Sequence, residues 1–423
     1  MLLKGGIIYL NMYNQIISVK NIQRAYFDLA KQFDEDSKSE KYLGIDGLCL
    51  GDFDIDSAWA LKEIRQELID LKPLRPALEF IIPKKRGGER KIFVYTIKDR
   101  IKAQAIYRIL EPFFEKLYNN FLFSYRSSHP SEYAAKSVCK RYKKYFSQDF
   151  VFCSDISDYT ESIEHNILIK KLKKTGLNEK IIKLLKLFIK NPIISNGKLN
   201  YWDKGVIQGV PVITFFANIY LNKMDKYVGK KVELYRRVGD DFIIFDKNLK
   251  KVKRMKNYIL KTVENLGLHI SQSKTNLIKS NKKFSFLGYE FENRKISINQ
   301  ASVKKAFSFW KKKLRYYDMS DQKKIYTLKK ILYNYDNCIH DQFVEIISAY
   351  KYANDKNQIK KMSEKFFRIL TKYFFKHYSH RNQRLTKKLL SDIEIPSLYK
   401  YFLDFHHGKK SITEISLSKE KFH

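Results

Sequence analysis

The sequence predicts an α+β fold followed by a helical carboxy-terminal region. Strand-like apolar runs are mixed with amphipathic helical stretches up to about residue 300, whereas only the three-to-four spacing of helices continues after residue 302. The chain has 423 residues, of which 44% are hydrophobic and 15% aromatic, enough to form a core in two or three structural units. We expect an amino-terminal helical extension at 1–43, an α+β body at 44–300 and carboxy-terminal helices at 301–423.

Helices and one basic hairpin are predicted in the first part of the chain. Amphipathic spacing predicts helices at 20–42 and 57–71, separated by a turn at "GIDG", residues 44–47. Two apolar runs in residues 77–95 flank a basic Gly-Gly turn and predict a hairpin, and a long helix follows at 98–118. The hairpin is either a solvated loop or a clamp on phosphates.

Strands and helices alternate in the middle of the chain. A strand at 149–157 reaches Asp155, and a hairpin at 235–245 carries Asp240 and Asp241 at its tip. The other predicted elements are helices at 178–190, within 205–228 and at 249–266, a turn at 196–197, and short strands at 268–271, 285–291 and 295–298.

The net charge is the strongest feature of the composition. The sequence contains 82 Lys and Arg against 45 Asp and Glu, a formal charge of +37. A polyanion neutralises such a charge with an entropic gain from released counterions, so nucleic acid is the leading partner. A genome bias toward Lys is a second source of the excess. An anionic membrane is a weaker alternative, because the basic residues run throughout the chain.

Cysteine spacing and the amino terminus indicate a cytoplasmic protein without a membrane anchor. The four cysteines lie far apart and form no CxxC pair, which is typical of reduced thiols and excludes a zinc knuckle. The apolar amino terminus is interrupted by Gly5, Gly6 and Asn11, so it is too short for a spanning helix.

Asp155 and the Asp240–Asp241 pair are the candidate metal ligands. Gly239 with the two aspartates also fits a plain solvated turn, since Gly and Asp dominate such turns. A polymerase needs carboxylates from two strands to bridge two Mg²⁺ ions about 3.5–4 Å apart. Successive residues of an extended chain point to opposite faces, so we assign Asp155 and Asp240 the principal roles and Asp241 a supporting one.

Seven segments between residues 44 and 300 occur in a characteristic order. They are "GIDG" at 44–47, "IPKKRGGERKIFVYTIKDRIKAQAIYRILEPFFE" at 82–115, "DISDYTESIEHNIL" at 155–168, "IQGVPVITFFANIYLNKMD" at 207–225, "RVGDDF" at 237–242, "GLHISQSKTNLI" at 267–278 and "FSFLGYEF" at 284–291. In this order they resemble a bacterial reverse transcriptase of the branch that includes group II intron, retron and phage-defence enzymes. The resemblance implies a right-hand polymerase, with fingers and palm at 44–300 and a helical thumb within 301–423.

The resemblance also implies a role for each matching residue. Asp155, Asp240 and Asp241 would be catalytic metal ligands for two Mg²⁺ ions, with Mn²⁺ as an alternative, and Lys274 would protonate pyrophosphate. The nucleotide-binding residues would be Lys84, Arg90, Tyr159, Thr160, Gln208 and Gly209, and the primer grip would contain Leu287 and Gly288. The implied substrates and partners are dNTPs, an RNA template and the DNA product.

Four positions depart from the family pattern. Val238 stands where the family usually has Tyr, Glu161 where it has Asp, and Ile207 where it has Pro. Tyr159 and Thr160 stand at a usually aromatic pair, whose second member excludes the ribose 2′-hydroxyl by its bulk. We expect sugar discrimination either to be weak here or to have passed to Tyr159. The metal carboxylates are intact, so catalysis is expected to be retained.

The expected function is RNA-directed DNA polymerisation on a dedicated non-coding RNA, as part of antiphage defence. The defence role follows from resemblance and from elimination, because the sequence after residue 300 shows no HNH, zinc-binding or ribonuclease H pattern. Two alternatives remain open: an untemplated DNA polymerase of the abortive-infection type, and a maturase-like RNA-binding protein. The sequence indicates neither the template and primer nor the oligomeric state.

Overall fold

Two compact units make up the described part of the chain. The computed structural model describes residues 12–31, 46–48, 58–83, 89–272, 275–315, 339–392, 397–408 and 411. The first unit is drawn from 1–134 and 149–278, and the second from 135–148 and 279–423. The compact units thus divide near residue 278, and the functional division at 43 and 300 stays a prediction.

Several helices of the first unit begin where a polar side chain caps the first turn. Ser18, Thr96 and Asn178 each accept a hydrogen bond from a backbone N–H at the start of a helix. Their helices and the others of this unit are α1 (Val19–Ala30), α2 (Ala58–Ile69), α3 (Ile97–Leu117), α5 (His165–Lys173), α6 (Glu179–Ile189), α7 (Ile213–Gly229) and α8 (Leu249–Asn265). A further helix, α4 (Ser131–Lys144), begins here and lies mostly in the second unit.

One four-stranded sheet contains the predicted basic hairpin. Its strands are β1 (Ala77–Pro83), β2 (Glu89–Val94), β5 (Ile193–Ser195) and β6 (Lys198–Asn200), in the order β2-β1-β5-β6. β1 and β2 are antiparallel, which confirms the hairpin, and residues 84–88 of its turn lie outside the described residues. Asn196 and Gly197 both have positive φ and form the predicted turn between β5 and β6.

A second sheet brings the predicted carboxylate strands together. Its order is β10-β3-β8-β7, from the strands β3 (Phe150–Ser154), β7 (Leu234–Val238), β8 (Asp241–Asp246) and β10 (Asn276–Lys279). A short pair, β4 (Ile156–Ser157) with β9 (His269–Ile270), follows β3. Helix α7 lies in the core of this unit, with Phe216, Tyr220 and Leu221 fully buried.

The second unit is a small sheet with helices. Strands β11 (Phe284–Phe286), β12 (Tyr289–Glu292) and β13 (Lys295–Ile298) form an antiparallel meander. Its remaining helices are α9 (Gln300–Arg315), α10 (Ile339–Ala349), α11 (Lys356–Phe375), α12 (His380–Asp392) and α13 (Leu398–His406). The Trp310 ring meets Phe343 edge-on at 5.4 Å and Phe366 at 4.8 Å between centroids, an aromatic core for these helices.

The predicted fold class is confirmed, and several elements differ in detail. The strand predicted at 149–157 is interrupted at Asp155, between β3 and β4. The strand predicted at 285–291 is two strands, because Leu287 and Gly288 both have positive φ and turn the chain. The helix predicted at 20–42 ends at Ala30, and residues 32–45 lie outside the described residues. Within the described ranges, no helix has the length and apolar character needed to cross a membrane.

Candidate active site

Asp240 lies in a two-residue turn between β7 and β8. Val238 pairs with Asp241, so Gly239 and Asp240 close the hairpin, and Gly239 supplies the positive φ of 63° that the turn requires. Asp240 is exposed, whereas Asp241 begins β8 and is half-buried. The two carboxylates therefore have different surroundings, and the unequal roles assigned to them stay a prediction.

Asp155 reaches the same turn from the neighbouring strand. Ser154 pairs with Phe242 in the antiparallel register of β3 and β8, and Asp155 follows directly. The Ile156 N–H donates to the Asp240 carbonyl at 3.3 Å. The structure thus brings Asp155, Asp240 and Asp241 together at one end of the sheet, as the sequence predicts. Asp155 is only 4% exposed.

A fully buried ion pair lies next to the turn and is hydrogen-bonded to it. Arg237 on β7 and Asp225 on α7 are both 0% exposed, and the guanidinium binds the carboxylate through Nε and Nη2 at 2.8–3.0 Å. The Arg237 Nη1 donates to the Gly239 carbonyl at 2.8 Å. The side chain that neutralises Asp225 therefore also fixes the backbone next to Asp240.

Electrostatics raise the pKa values of Arg237 and of its neighbour Tyr235. Burial by itself lowers the pKa of Arg237, but the adjacent Asp225 carboxylate more than offsets this effect, so the pKa lies above its usual value. The Tyr235 hydroxyl donates to Asp225 Oδ1 at 2.8 Å. Burial, and then the Asp225 charge, raise the pKa of Tyr235, which stays protonated. Asp225 thus accepts hydrogen bonds from two side chains of β7.

The segment before α4 holds the turn from the other side. The Gly239 N–H donates to the Ser124 hydroxyl, and the Phe123 N–H donates to the Arg237 carbonyl at 2.9 Å. The Arg237 N–H in turn donates to the Phe121 carbonyl at 3.0 Å. The hairpin that carries the aspartates is thereby bound to a second segment of the first unit.

An open cavity of about 1020 Å³ lies beside the turn. Several predicted residues line it, namely Asp240, Tyr159, Thr160 and Gln208. Glu161 and Gly239, to which the sequence also pointed, line it as well. The other lining residues have no signal in the sequence that would have singled them out: Lys91, Tyr125, Asp158, Glu164, Trp202, Asp203, Lys204 and Ala217. A cavity of this size matches the range of small-molecule sites and is large enough for a nucleotide.

Hydrogen bonds join the loop before α7 to the segment after β4. The Gln208 Nε2 donates to the Thr160 hydroxyl at 2.6 Å, and this hydroxyl donates to Glu161 at 2.9 Å. The Val206 N–H donates to the Thr160 carbonyl at 2.8 Å. The Tyr159 side chain is buried, with its hydroxyl donating to the Ala217 carbonyl. Two predicted nucleotide-binding segments thus form one wall.

Gly209 allows this loop to approach β2. Its φ is +125°, and a Cβ placed on it would lie 2.6 Å from the Phe93 carbonyl oxygen. The Tyr95 hydroxyl donates to the Ile207 carbonyl at 3.2 Å in the same region. The sequence pattern of Gln208 followed by Gly209 therefore has a steric cause, because only glycine fits against the strand.

The hairpin strand β2 contributes Lys91 to the cavity. Its Nζ forms an ion pair with Glu79 at 2.9 Å and lies 5.8 Å from the centre of the Trp202 ring. Phe93 meets the same ring edge-on at 5.8 Å. Arg90 lies on β2, paired with Ile82 in the backbone register. Among the described residues of the predicted hairpin, Lys91 is thus the cation that lines the cavity. The sequence did not single it out.

The other predicted residues lie outside the described part of the chain or in the second unit. Lys84 and Lys274 lie outside the described residues. Leu287 and Gly288 belong to the second unit, where they form the turn between β11 and β12. A Cβ on Gly288 would lie 2.7 Å from the Tyr350 hydroxyl, so this turn packs closely on the segment after α10.

The carboxylates do not form a complete cage for a metal ion. Among the residues that the structure describes, no group of three or more His, Cys, Asp or Glu side chains is arranged to hold a metal. Mg²⁺ usually keeps several waters and takes only one or two protein carboxylates, with substrate phosphates completing its coordination. The oxygen donors of Asp155 and Asp240 fit that mode of binding.

Residues 82–291 match the family described as reverse transcriptase (RNA-dependent DNA polymerase). The matched residues include the carboxylate turn, all residues that line the cavity and strand β2 of the basic hairpin. Of strand β1 they include only the last two residues. The chain therefore carries a reverse transcriptase domain, that of an RNA-directed DNA polymerase.

Three curated relatives illustrate the similarity. Protein YkfC of Escherichia coli K12 is 24% identical over 63% of this chain and 80% of its own length. The group II intron-encoded protein LtrA of Lactococcus lactis is 24% identical over 36% of this chain and 25% of its own. The retron Ec86 reverse transcriptase of Escherichia coli is 21% identical over 40% of this chain and 51% of its own. The chain thus spans about a quarter of the length of LtrA and about half that of the retron enzyme.

Solved telomerase structures are also similar in part. The telomerase of Candida albicans, in complex with a telomeric RNA fragment, aligns over 83% of this chain and 65% of its own. The identity is 14% and the TM-score 0.45.

Removing one member of the buried ion pair is expected to destabilise the first unit. Asp225→Asn leaves Arg237 as an uncompensated buried charge, so the free energy of unfolding should fall by about 3–5 kcal/mol, measured by urea unfolding of the full chain. Replacing both partners, as in Asp225→Leu with Arg237→Met, should cost less than the single change. A loss in the free energy of unfolding from Asp225→Asn as small as that from a surface substitution would contradict this expectation.

Gly209→Ala is expected to cost more than the same change at Gly197. Both glycines have positive φ, but a Cβ at Gly197 meets nothing within 4 Å, whereas one at Gly209 meets the Phe93 carbonyl. Gly197→Ala should therefore lower the free energy of unfolding by about 1–2 kcal/mol, the usual cost of the left-handed conformation, and Gly209→Ala by clearly more. Equal losses in urea unfolding would show that the loop moves freely away from β2.

Proposed function

We propose that this chain synthesises DNA on an RNA template with two Mg²⁺ ions bound at Asp155, Asp240 and Asp241. The observation that carries the proposal is the meeting of β3 with the β7–β8 turn, where Ile156 hydrogen-bonds to Asp240 beside a cavity large enough for a nucleotide. Carboxylates from two separate strands at one point are what two-metal phosphoryl transfer requires. The reverse transcriptase domain supports the same chemistry.

The metal ions would activate the primer 3′-hydroxyl and neutralise charge on the departing pyrophosphate. Carboxylate oxygens suit Mg²⁺, and Mn²⁺ has the same ligand preference. In this proposal Asp155 and Asp240 are the principal ligands and Asp241 a supporting one. The buried Arg237 keeps the turn in place and does not contact the substrate.

The walls of the cavity would position the incoming dNTP. Gln208 and Thr160 are already joined by a hydrogen bond, so their relative position costs no ordering when substrate binds. Gly209 lets the wall approach β2, and Lys91 adds a positive charge for the phosphates. The family resemblance assigns further roles to Lys84 and Arg90 in triphosphate binding, to Lys274 as proton donor, and to Leu287 and Gly288 in the primer grip.

The biological setting in this proposal is a dedicated non-coding RNA in a bacterial antiphage system. In the proposed division, residues 44–300 provide fingers and palm, and the helices of 301–423 hold the product duplex, following an extension at 1–43. Similarity to a retron reverse transcriptase and to group II intron proteins supports a structured RNA as template. The formal charge of +37 supports binding of nucleic acid over an extended surface.

The test is DNA synthesis by the full chain on RNA that purifies with it. With Mg²⁺ and all four dNTPs, the expected product is DNA complementary to one enriched RNA. The Asp240→Ala/Asp241→Ala variant should bind the same RNA and lose at least about 1,000-fold in rate, because the metals supply several kcal/mol of transition-state stabilisation.

Other outcomes identify the two alternative functions. DNA that is not complementary to any bound RNA, and that still forms after ribonuclease treatment, would indicate untemplated synthesis. Bound RNA without DNA synthesis, or unchanged function in the double-alanine variant, would indicate a maturase-like RNA-binding protein.

Sugar selection is expected to be weak and to depend on Thr160. The Tyr159 side chain is buried and its hydroxyl is bound to the Ala217 carbonyl, so its ring is fixed in the cavity wall, and the smaller Thr160 side chain stands at the position that usually excludes the 2′-hydroxyl. A pocket without a bulky wall rejects an added hydroxyl by no more than about 100-fold. Thr160→Phe should therefore raise the ratio of dNTP to rNTP kcat/KM at least about tenfold.

Steady-state incorporation of each nucleotide measures this ratio. Thr160→Val, which keeps the size of the side chain, should change the ratio much less than Thr160→Phe. Strong selection for dNTPs in the wild type that persists in Thr160→Val and Tyr159→Ala would contradict the assignment.

A further inference from the structure

The outer faces of α5, α7 and α8 carry a continuous set of cations. Ala217, in the second turn of α7 (Ile213–Gly229), lines the cavity, and the helix continues beyond it for twelve residues. The set, here named the basic helix face, contains Lys170, Lys171, Lys173 and Lys174 on or just after α5, Lys223, Lys226, Lys230 and Lys231 on or just after α7, and Lys250, Lys251, Lys253, Arg254 and Lys261 on α8.

Contacts between side chains join these three helices into one surface. The Lys171 Nζ lies 5.5 Å from the centre of the Tyr220 ring, which connects α5 to α7. The Tyr227 and Tyr258 rings lie 4.3 Å apart, which connects α7 to α8. The Lys231 Nζ lies 5.9 Å from the Tyr227 ring. The cations therefore belong to a packed surface of fixed helices.

Like charges are crowded where α5 meets α7. Burial first, and then the charges of Lys223 and Lys174, lower the pKa of Lys171, while Asp225 acts weakly in the other direction. Asp225 already forms its ion pair with Arg237. Within the described residues, neither Lys171, Lys174 nor Lys223 forms an ion pair with a carboxylate. A bound anion would relieve this repulsion.

The carboxylates near the face leave most of its charge uncompensated. Lys173 lies 4.0 Å from Glu179, and Lys251 lies 3.4 Å from Asp246. The Lys173–Glu179 pair is exposed, and exposed pairs contribute little and break easily when a stronger anion approaches. The face therefore offers a dense field of cations to a polyanion.

The chemistry of the face favours nucleic-acid phosphates over a membrane. Among the described residues of α5, α7 and α8, Tyr227 is the one large apolar side chain classed as exposed, so there is no apolar edge to insert into lipid. Tyr227 and Tyr258 are packed on each other and do not offer a free platform for stacking unpaired bases. Lysines on flexible stems bind phosphates as point charges without reading sequence.

The face is distinct from the cavity that holds the nucleotide. Lys223 lies six positions beyond Ala217 on α7, about 9 Å along the helix axis, and Lys230 lies about 20 Å beyond it. A nucleic acid bound there would not compete with a short primer-template in the cavity.

We propose that the basic helix face is a second nucleic-acid site, which binds the phosphate backbone of a duplex segment outside the active-site cavity. Such a site would tether a folded template RNA by a stem while its single-stranded part enters the cavity. That the tethered strand is the template rests on the proposed function. The binding of phosphates itself does not, because it requires no catalysis.

The experiment measures binding of an RNA stem-loop by the full chain in a series of salt concentrations. The variant Lys223→Gln/Lys226→Gln/Lys250→Gln/Arg254→Gln should weaken binding at least about tenfold at physiological salt and reduce the slope of log K against log salt by about 3–4, since each phosphate contact contributes about 0.9. A matched control removes four exposed lysines elsewhere in the first unit, Lys20, Lys62, Lys183 and Lys190, and should leave both quantities nearly unchanged.

Two further arms identify the ligand and separate this proposal from the catalytic one. A DNA hairpin of the same sequence distinguishes RNA from duplex phosphates in general, and vesicles of anionic phospholipid test a membrane instead. DNA synthesis on a short primer-template should persist in the quadruple variant. Equal losses of stem-loop binding in the variant and the control, or vesicle binding without stem-loop binding, would overturn the proposal, whatever the outcome for catalysis.

Discussion

The fully buried pair of Arg237 and Asp225 is the constraint on which the rest of the site depends. Taking two charges out of water costs several kcal/mol per ion, and only close, well-satisfied geometry offsets that cost. Here the guanidinium binds both carboxylate oxygens and also the Gly239 carbonyl. The core helix α7, the strand β7 and the turn that carries Asp240 are therefore held in one arrangement.

The cavity beside the turn is built from segments that are tied to one another. Gln208 is bound to Thr160, the loop that follows packs on β2 at Gly209, and Tyr95 donates to the Ile207 carbonyl. The strand β2 of the basic hairpin, the loop before α7 and the segment after β4 are thus joined by direct contacts. Such preorganisation is what positions a substrate for transfer without further ordering.

Part of this site could be predicted from the sequence, because its signals are local. Gly239, Asp240 and Asp241 between apolar strands indicate a carboxylate hairpin, and Asp155 ends a strand-like run. Asp225 gave no such signal, since its partner Arg237 is placed beside it only by the packing of α7 on β7. The cavity residues Lys91 and Trp202 are likewise brought together by tertiary contacts that no local pattern encodes. The three-residue strands β5 and β6 are too short for a periodicity to appear.

The most direct test of metal binding at the three aspartates is the number of Mn²⁺ ions bound per chain. Electron paramagnetic resonance measures this number in the presence of primer-template and a non-reactive dNTP analogue. Carboxylate sites that take Mg²⁺ also take Mn²⁺, and this readout does not depend on turnover. Two tightly bound ions per chain are expected, and the Asp240→Ala/Asp241→Ala variant should lose both or bind them much more weakly. Unchanged tight binding in that variant would place the metals elsewhere and contradict the assignment of Asp155, Asp240 and Asp241.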